Sequence, residues 1–437
     1  MEAICDPENI DAAARAVRRN KGAPGVDGMT VKQLSDVLER RWPEIARALV
    51  EDAYRPQPVK RVQIPKPEGG MRKLGIPAVI DRVIQQAILQ RLQPVWDPTF
   101  SASSYGFRPG RSAQQAVAAA QADVAAGRRH VVDIDLAKFF DRVNHDRLMA
   151  AVAERVRDKR VVRLIRNFLT AGALDDGVFE ASWEGTPQGG PLSPLLSNLV
   201  LDELDRELER RGLSFVRYAD DCNIYVASRK AAERVMASVT RFIERRLKLT
   251  VNEAKSAVDR PWNRSFLGFT LKQAGGFPRA VAPKAVARFK NRVRDLTRRY
   301  RGVSLKTIVA DLNPLLRGWA GYFGFSESRE LEGLDGWIRR RLRSLLWVQW
   351  KTRRKRLWEL LRRGVAKATA FASIMSPKGP WHYGALRHYG DMIHITRFRF
   401  PLAVIEQTRD TRSSLSPQAL PGRRNSPSIS WKRTFSD

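Results

Sequence analysis

With 437 residues the chain can hold two or three domains, and its formal net charge of +32 makes nucleic acid the first expected partner and an acidic membrane surface the second. The cysteines, Cys5 and Cys222, are too few for a disulfide framework or a cysteine-rich zinc site. No apolar run approaches the roughly 20 residues that cross a bilayer, and the acidic N-terminus does not resemble a targeting signal. We therefore expect a protein of a reducing compartment that does not cross a membrane.

The first part of the chain predicts helices followed by a hairpin. Residues 1–60 have helical patterns interrupted by a glycine-rich turn. Residues 61–77 alternate apolar and polar side chains, which predicts a hairpin with a basic returning strand. Lys66, Arg72 and Lys73 of this hairpin could hold a triphosphate, or they could line a solvated strand edge.

A helix, a loop and a strand follow. Residues 78–96 keep helical spacing, whereas the loop 103–112 carries Arg and aromatic residues that suit either contact with a nucleic acid strand or anchoring of the loop. Residues 130–136 predict a strand, with Asp135 near its end. A carboxylate at the end of a strand can enter a cleft. Residues 145–172 predict a helical stretch.

The most informative stretch is a predicted acidic hairpin. Two apolar arms, 213–216 and 224–226, flank Tyr218-Ala219-Asp220-Asp221. Adjacent carboxylates repel each other, and a divalent cation would offset that repulsion. An Asp-rich surface turn is the alternative. The hairpin follows a glycine-rich turn at 185–194, whose glycines would let the backbone approach a ligand, and a helix over 195–211.

The region after the hairpin predicts an amphipathic helix over 230–248. The segments 250–256 and 264–269 look like short strands. The order of elements through residue 270 predicts a mixed α+β fold around an antiparallel sheet.

From Pro283 the pattern changes to basic helices. Residues 288–363 contain 21 Lys or Arg and 7 Asp or Glu, together with several tryptophans. Apolar stripes predict a small helical bundle, and its basic faces predict a bound polyanion, although a merely solvated basic surface is the alternative. Residues 366–406 give no clear role, and the Ser-, Pro- and Arg-rich residues 407–437 predict a tail without stable structure.

Three elements can now be combined. Asp135 ends a strand, Asp220 and Asp221 occupy a hairpin, and Gln188 lies in the glycine-rich turn. Nucleotide addition is an in-line phosphoryl transfer that two Mg²⁺ ions can serve, one at the attacking hydroxyl and one at the leaving pyrophosphate. A basic hairpin for the triphosphate and a basic bundle for a duplex would complete such a site.

The sequence resembles the group II intron-encoded reverse transcriptases with a maturase domain. Six short segments carry the resemblance in the expected order: Arg72–Pro77, Asp135–Asp141, Pro187–Gly190, Tyr218–Asp221, Asn252–Lys255 and Phe266–Phe269. The stretch Asn313–Phe323 is similar to the opening of their maturase domain. Each segment alone is weak, but together they are specific.

The resemblance implies a right-hand polymerase with fingers and palm over 1–280, a helical thumb or maturase domain over 281–365, and an extension over 366–406 that could contact DNA. It implies that Asp135, Asp220 and Asp221 bind two Mg²⁺ ions. The other implied roles are protonation of pyrophosphate by Lys255, triphosphate binding by Lys66 and Arg72, a steric gate at Phe140, nucleotide contact by Gln188 and Gly189, and a primer grip by Phe266, Leu267, Gly268 and Phe269.

The implied partners are the intron RNA, a DNA target and primer, and deoxynucleoside triphosphates, with no membrane and with a homodimer left open. The implied location is the bacterial cytoplasm, in association with the nucleoid. The basic residues and tryptophan that would contact RNA are Arg317, Trp319, Arg339, Arg340, Arg353 and Arg354. Many relatives end in an endonuclease domain with paired cysteines, which this sequence lacks, so cleavage of a second DNA strand is not expected.

Three functions fit these patterns. The leading hypothesis is an RNA-directed DNA polymerase that also assists splicing and mobility of its intron. The alternatives are a reverse transcriptase adapted to a host or phage-defence task and an RNA-binding splicing factor without polymerase activity. Retention of the three aspartates favours an active polymerase.

Overall fold

The computed structural model describes residues 1–65, 69–175, 177–186, 189–327 and 330–385, without the side chain of Arg72. The chain divides into two units, Met1–Ala282 and Pro283–Asp437. Each unit has its own apolar core. The predictions for Lys66, Gln188 and residues 386–437 lie outside the described residues.

The first unit mixes helices and strands along its whole length. Its described α-helices are α1 (Glu2–Cys5), α2 (Pro7–Arg19), α3 (Leu34–Val50), α4 (Val79–Trp96), α5 (Ala113–Ala125), α6 (Phe139–Arg142), α7 (His145–Arg155), α8 (Lys159–Thr170), α9 (Ser193–Arg210) and α10 (Arg229–Phe242). Its described strands are β1 (Val59–Pro65), β2 (Met71–Ile76), β3 (His130–Ile134), β4 (Ala173–Asp175), β5 (Val178–Glu180), β6 (Ser214–Tyr218), β7 (Asp221–Val226), β8 (Ala257–Asp259), β9 (Phe269–Leu271) and β10 (Arg279–Val281).

The helices predicted over 78–96, 195–211 and 230–248 are confirmed as α4, α9 and α10, the last continued by a π-turn over Ile243–Leu247. The stretch predicted as helical over 145–172 is two helices, α7 and α8. The side chain of Asp158 accepts a hydrogen bond from the backbone N–H of Arg160. This cap starts a new helix, because it satisfies a first-turn donor that has no partner within the helix.

The predicted antiparallel sheet is confirmed, with strand order β6–β7–β3–β8. Strand β3 occupies an inner position and reads His-Val-Val-Asp-Ile, with three of its apolar side chains buried. Its partners β7 and β8 both run antiparallel to it. One face of the sheet contributes to the main core of the unit, with Val132, Ile134 and Ile224 fully buried.

A second sheet has strand order β2–β1–β4–β5. The predicted basic hairpin is confirmed as β1 and β2, which pair antiparallel from Lys60 with Ile76 to Pro65 with Met71. Strand β4 joins β1 in parallel. Strands β9 and β10 form a separate antiparallel pair.

The two segments predicted as short strands near residues 250–269 are mostly turns. Within 250–256 only Val251 makes an isolated bridge, to Leu136, and the strand β8 follows. Phe266 and Phe269 exchange backbone hydrogen bonds of 2.8 and 2.9 Å around Leu267 and Gly268. Both central residues have positive φ, at 53° and 79°, as a type I′ turn requires. Residues 266–268 therefore form a turn and not a strand, and strand β9 begins at Phe269.

The predicted helical bundle is confirmed in the second unit. Its helices within the described residues are α11 (Pro283–Leu296), α12 (Leu305–Phe323), α13 (Glu330–Gln349), α14 (Arg353–Arg362), α15 (Lys367–Met375) and α16 (Pro380–Ala385). Val293, Leu312 and Leu342 are fully buried where α11, α12 and α13 pack. Helix α11 ends at Leu296, so Tyr300 lies beyond the helix and is exposed.

None of the helices within the described ranges is long and apolar enough to cross a membrane.

Candidate active site

The acidic segment predicted as a hairpin tip forms the tight turn between β6 and β7. Tyr218 pairs with Asp221, so Ala219 and Asp220 are the two central residues. Ala219 has a φ of +57°, which is uncommon for a residue that carries a side chain. The turn therefore presents two successive carboxylates at one end of the sheet.

Asp135 lies at the same end of the sheet. Ile134, the last residue of β3, pairs with Cys222 of β7. In an antiparallel pair the neighbours of a paired couple lie opposite each other, so Asp135 follows β3 beside Asp221. The structure thus brings the three predicted aspartates together from segments that are more than 80 positions apart in sequence.

The carboxylates in this cluster influence each other electrostatically. Asp221 is exposed on one side, but the surrounding protein removes much of the water that would solvate its ionised carboxylate. The negative charges of Asp220, Asp135 and Asp133 destabilise the ionised form further. These effects raise the pKa of Asp221 to about 7, although the nearby Lys255 opposes the shift. Burial also raises the pKa of Asp133, which is paired with Arg264 at 2.7 Å. A cation that approaches such a group stabilises its ionised form and lowers its pKa again.

The donor set suits a hard divalent cation. Carboxylate oxygens are the ligands that Mg²⁺ prefers, and it keeps several waters, so two or three carboxylates are enough. Within the described ranges no three His, Cys, Asp or Glu side chains are gathered closely enough to enclose a metal ion as they stand. Asp135, Asp220 and Asp221 nevertheless offer the oxygen ligands that Mg²⁺ prefers, and they lie at the same end of the sheet.

A loop before β8 supports Asp135. Asn252 donates its side-chain amide to Asp135 Oδ2 at 2.9 Å and its backbone N–H to the Asp135 carbonyl at 2.8 Å. Ser256 Oγ accepts the backbone N–H of Asp135 at 3.0 Å. Lys255 Nζ lies 3.8 Å from Asp135 Oδ1. The predicted Lys255 therefore lies beside the acidic cluster. Asn252 and Ser256 orient Asp135, and the sequence analysis assigned no role to either of them.

Phe140 lies on the short helix α6 and lines a cavity of about 530 Å³. Its ring meets Phe139 edge-on at 5.3 Å between centroids, and its carbonyl accepts the Thr186 N–H at 2.6 Å. Leu74 of β2 and Gly189 line the same cavity. The predicted gate residue and the glycine-rich turn therefore face one common space.

Gly189 approaches the second sheet closely. Its φ is +128°, and a Cβ there would lie 2.6 Å from the carbonyl oxygen of Gly75 in β2. Only glycine permits this approach. Arg72 lies on β2, where it pairs with Ile64 of β1.

The predicted primer-grip residues form the type I′ turn between Phe266 and Phe269. Phe269 is buried, whereas Phe266, Leu267 and Gly268 are half-buried. The Gly268 carbonyl accepts the N–H of Ala282 at 2.9 Å. A half-buried turn of this kind can present both backbone and side-chain atoms to a strand.

The loop residue Arg108 anchors its own loop. It is buried and pairs with Asp97 at 2.8 Å, and it also donates to the carbonyls of Ser101 and Ser104. Of the two interpretations of this loop, anchoring is therefore correct for Arg108. Arg111 lies over the Tyr105 ring at 5.2 Å.

The predicted RNA-contacting residues of the second unit fall into two groups. Arg317, Arg353 and Arg354 are exposed. The others contact protein: Trp319 stacks on Phe289 at 4.3 Å, Arg339 pairs with Asp335 at 2.8 Å, and Arg340 lies over the Trp381 ring at 4.2 Å. Trp347 and Trp350 are buried, so these tryptophans build the bundle core.

Sequence reasoning missed a buried network behind the acidic turn. It centres on Arg217 and Asp205, with Asn198 and Gly106 around them. Buried charges are uncommon, so composition and periodicity do not point to them. The one available signal is that Arg217 directly precedes Tyr218 in an otherwise apolar strand.

Two family models match the chain. The model described as reverse transcriptase (RNA-dependent DNA polymerase) matches residues 64–271. The model described as group II intron, maturase-specific domain matches residues 286–364.

The chain is also similar to individual proteins. It is 36% identical to protein YkfC of Escherichia coli K12 over 298 residues. That alignment covers 59% of this chain and 78% of YkfC. It is 34% identical over 212 residues to the group II intron-encoded protein LtrA of Lactococcus lactis, which covers 48% of this chain and 35% of LtrA. A solved structure, the partial Cas6-RT-Cas1–Cas2 complex, aligns with a TM-score of 0.36 at 27% identity over 55% of this chain and 42% of that one.

Proposed function

Because the chain belongs to the group II intron-encoded reverse transcriptases, a family of RNA-dependent DNA polymerases, we propose that Asp135, Asp220 and Asp221 bind two Mg²⁺ ions for deoxynucleotide transfer to a primer. The observation that carries this proposal is the pairing of Ile134 with Cys222, which places Asp135 beside the acidic turn. Bound Mg²⁺ would activate the attacking 3′-hydroxyl and stabilise the leaving pyrophosphate. The carboxylates would hold the ions at the end of the sheet.

Lys255 is the proposed proton donor to pyrophosphate. Its exposed ammonium lies 3.8 Å from Asp135 Oδ1, so it adjoins the acidic cluster and can still reach a substrate.

The nucleotide is proposed to bind in the cavity that Phe140 lines. A flat ring beside the sugar would leave no room for a ribonucleotide's 2′-hydroxyl. Gly189 would offer backbone to the nucleotide, with Gln188 beside it. Arg72 of β2 and Lys66, which follows β1 in the sequence, would hold the triphosphate by charge.

The template and primer are proposed to bind to further surfaces of the chain. The turn from Phe266 to Phe269 would grip the primer. We assign residues 1–280 to fingers and palm, 281–365 to a thumb that also binds intron RNA, and 366–406 to an extension that could contact DNA. The exposed Arg317, Arg353 and Arg354 would contact phosphates, and splicing and mobility of the intron would follow from this binding.

Primer extension on an RNA template tests the polymerase proposal. Wild type should make cDNA with Mg²⁺ and none after chelation, and Asp220→Asn should reduce turnover by at least about 10³-fold. Glu233→Gln is the matched control, because Glu233 is an exposed carboxylate on α10 that pairs only with Arg229 among the contacts described. Equal cDNA yield from Asp220→Asn and wild type would refute the assignment.

Splicing of the intron RNA in the presence of the purified protein tests the second activity. Faster splicing with wild type and with Asp220→Asn would mean that RNA binding does not depend on the polymerase site. Splicing without any primer extension by wild type would favour the splicing-only alternative. Primer extension without RNA-specific splicing would favour a reverse transcriptase adapted to another task.

A further inference from the structure

A buried ion pair lies directly behind the acidic turn. The side chain of Arg217 is 1% exposed, and that of Asp205, on α9, is 0% exposed. Arg217 Nε donates to Asp205 Oδ1 at 2.7 Å, and Nη2 donates to Oδ2 at 2.6 Å. This two-point contact fixes the plane of the guanidinium as well as its position.

The remaining donors of Arg217 are also used. Nη1 donates to the Ala219 carbonyl at 2.9 Å and to Asn198 Oδ1 at 3.1 Å, and Nη2 donates to Ser104 Oγ at 2.8 Å. A guanidinium has five N–H donors, and these five hydrogen bonds account for all of them. One of the five therefore ends on the backbone of the acidic turn.

The turn needs such support. Ala219 has a φ of +57°, a conformation that a non-glycine residue keeps only when its surroundings impose it. Gly106 also packs closely against the turn, since a Cβ there would lie 2.9 Å from the Tyr218 carbonyl carbon. Asn198 links the two supports, because its amide also donates to the Gly106 carbonyl at 2.9 Å.

We propose that Arg217 and Asp205 are positioning residues, which hold the Ala219 backbone so that the carboxylates of Asp220 and Asp221 face Asp135. This inference rests on the proposed function of those three aspartates. A buried ion pair adds little stability over an apolar pair of similar size, so stability alone does not explain its presence. The hydrogen bond to the Ala219 carbonyl is a geometric constraint that an apolar pair cannot supply.

The double variant R217M/D205L separates stability from positioning. It leaves no unpaired buried charge, so its unfolding temperature should stay near that of wild type. Single-turnover incorporation should fall by about 10²-fold, the Mg²⁺ concentration for half-maximal rate should rise, and nucleotide Kd should change less than about threefold. The matched control is R155M/D202L, because Asp202 is also on α9 and pairs with Arg155 at 3.2 Å, and neither residue hydrogen-bonds to the turn among the contacts described. A folded R217M/D205L that incorporates at the wild-type rate would overturn the proposal.

Hydrogen exchange gives a readout that does not depend on activity. In R217K, which keeps the charge but lacks the planar five-donor fork, amides in the peptide 214–226 should exchange at least about tenfold faster at an unchanged unfolding temperature. Unchanged exchange in that peptide would contradict the positioning role, even if the double variant fails to fold. Absence of cDNA synthesis by wild type would instead refute the polymerase proposal, so the two failures are distinguishable.

Discussion

Replacing Gly106 with alanine should move the acidic turn. A Cβ at this position would lie 2.9 Å from the Tyr218 carbonyl carbon and 3.0 Å from Ala219 Cα, and closer still to the Ala219 nitrogen. All three atoms are backbone, and ordinary carbon contacts are about 3.5–4.0 Å, so the segments must separate by roughly 1 Å.

The movement should fall on the turn. The loop before Gly106 is tied to β6 by hydrogen bonds from Tyr105 N to Arg217 O at 2.8 Å and from Arg217 N to Ser103 O at 2.9 Å. A displacement of about 1 Å at a catalytic group can cost about 10²-fold in rate, which corresponds to about 2.7 kcal/mol of activation free energy. We therefore expect Gly106→Ala to lower single-turnover nucleotide incorporation about 10²-fold while template-primer affinity stays within a few-fold of wild type.

Gly275→Ala is the matched control, since a Cβ there meets nothing within 4 Å and its backbone is not left-handed. Circular dichroism and thermal unfolding should establish that both variants are folded. Wild-type incorporation by folded Gly106→Ala would refute the argument that close packing of this glycine sets the turn.

Three further predictions follow from other parts of the chain. Phe140→Ala should reduce discrimination against ribonucleotides at least about tenfold in single-nucleotide incorporation, and unchanged sugar selectivity would remove the gate assignment. The affinity for intron RNA should fall steeply with salt, so that a plot of log affinity against log salt concentration has a slope of about 5 or more in magnitude. In filter binding, R353E/R354E should lower the magnitude of that slope by about 1–2. An affinity that does not change with salt would contradict a basic RNA-binding surface. Burial raises the pKa of Asp81, which accepts the Tyr54 hydroxyl at 2.7 Å, to about 6. The folded chain then holds this proton more tightly than the unfolded chain. The contribution of Asp81 to the free energy of unfolding should therefore be greatest below about pH 4 and fall by roughly 3 kcal/mol as pH rises through 6. In urea unfolding, the difference in stability between wild type and Asp81→Asn should change with pH by that amount, and a difference that does not change with pH would contradict this assignment.

Local patterns predicted much of the fold because their physical causes are local. The alternation in β1 and β2, the acidic tip between β6 and β7, and the helical spacing in α4 each reflect backbone geometry over a few residues. The errors also have local causes. The segment from Phe266 to Phe269 has the composition of a strand, but the positive φ at Leu267 and Gly268 makes it a turn.

The bundle was harder to interpret from composition. Exposed and core tryptophans look identical in a sequence, and only packing distinguishes Trp347, buried and stacked on Tyr383 at 4.3 Å, from Trp358, which is half exposed. The same holds for arginines: Arg340 lies against Trp381, whereas Arg353 reaches solvent. A count of basic residues therefore predicts a polyanion partner but not which arginines touch it.

The sequence by itself determined the charge, the order of the short segments and the identity of the acidic residues, because these need no knowledge of distant neighbours. Only the tertiary structure decided that Asp135 lies beside Asp221 and that Arg217 donates one hydrogen bond to the Ala219 carbonyl. Strand register and the burial of a paired charge depend on contacts between segments far apart in the chain, and a linear pattern carries no record of them.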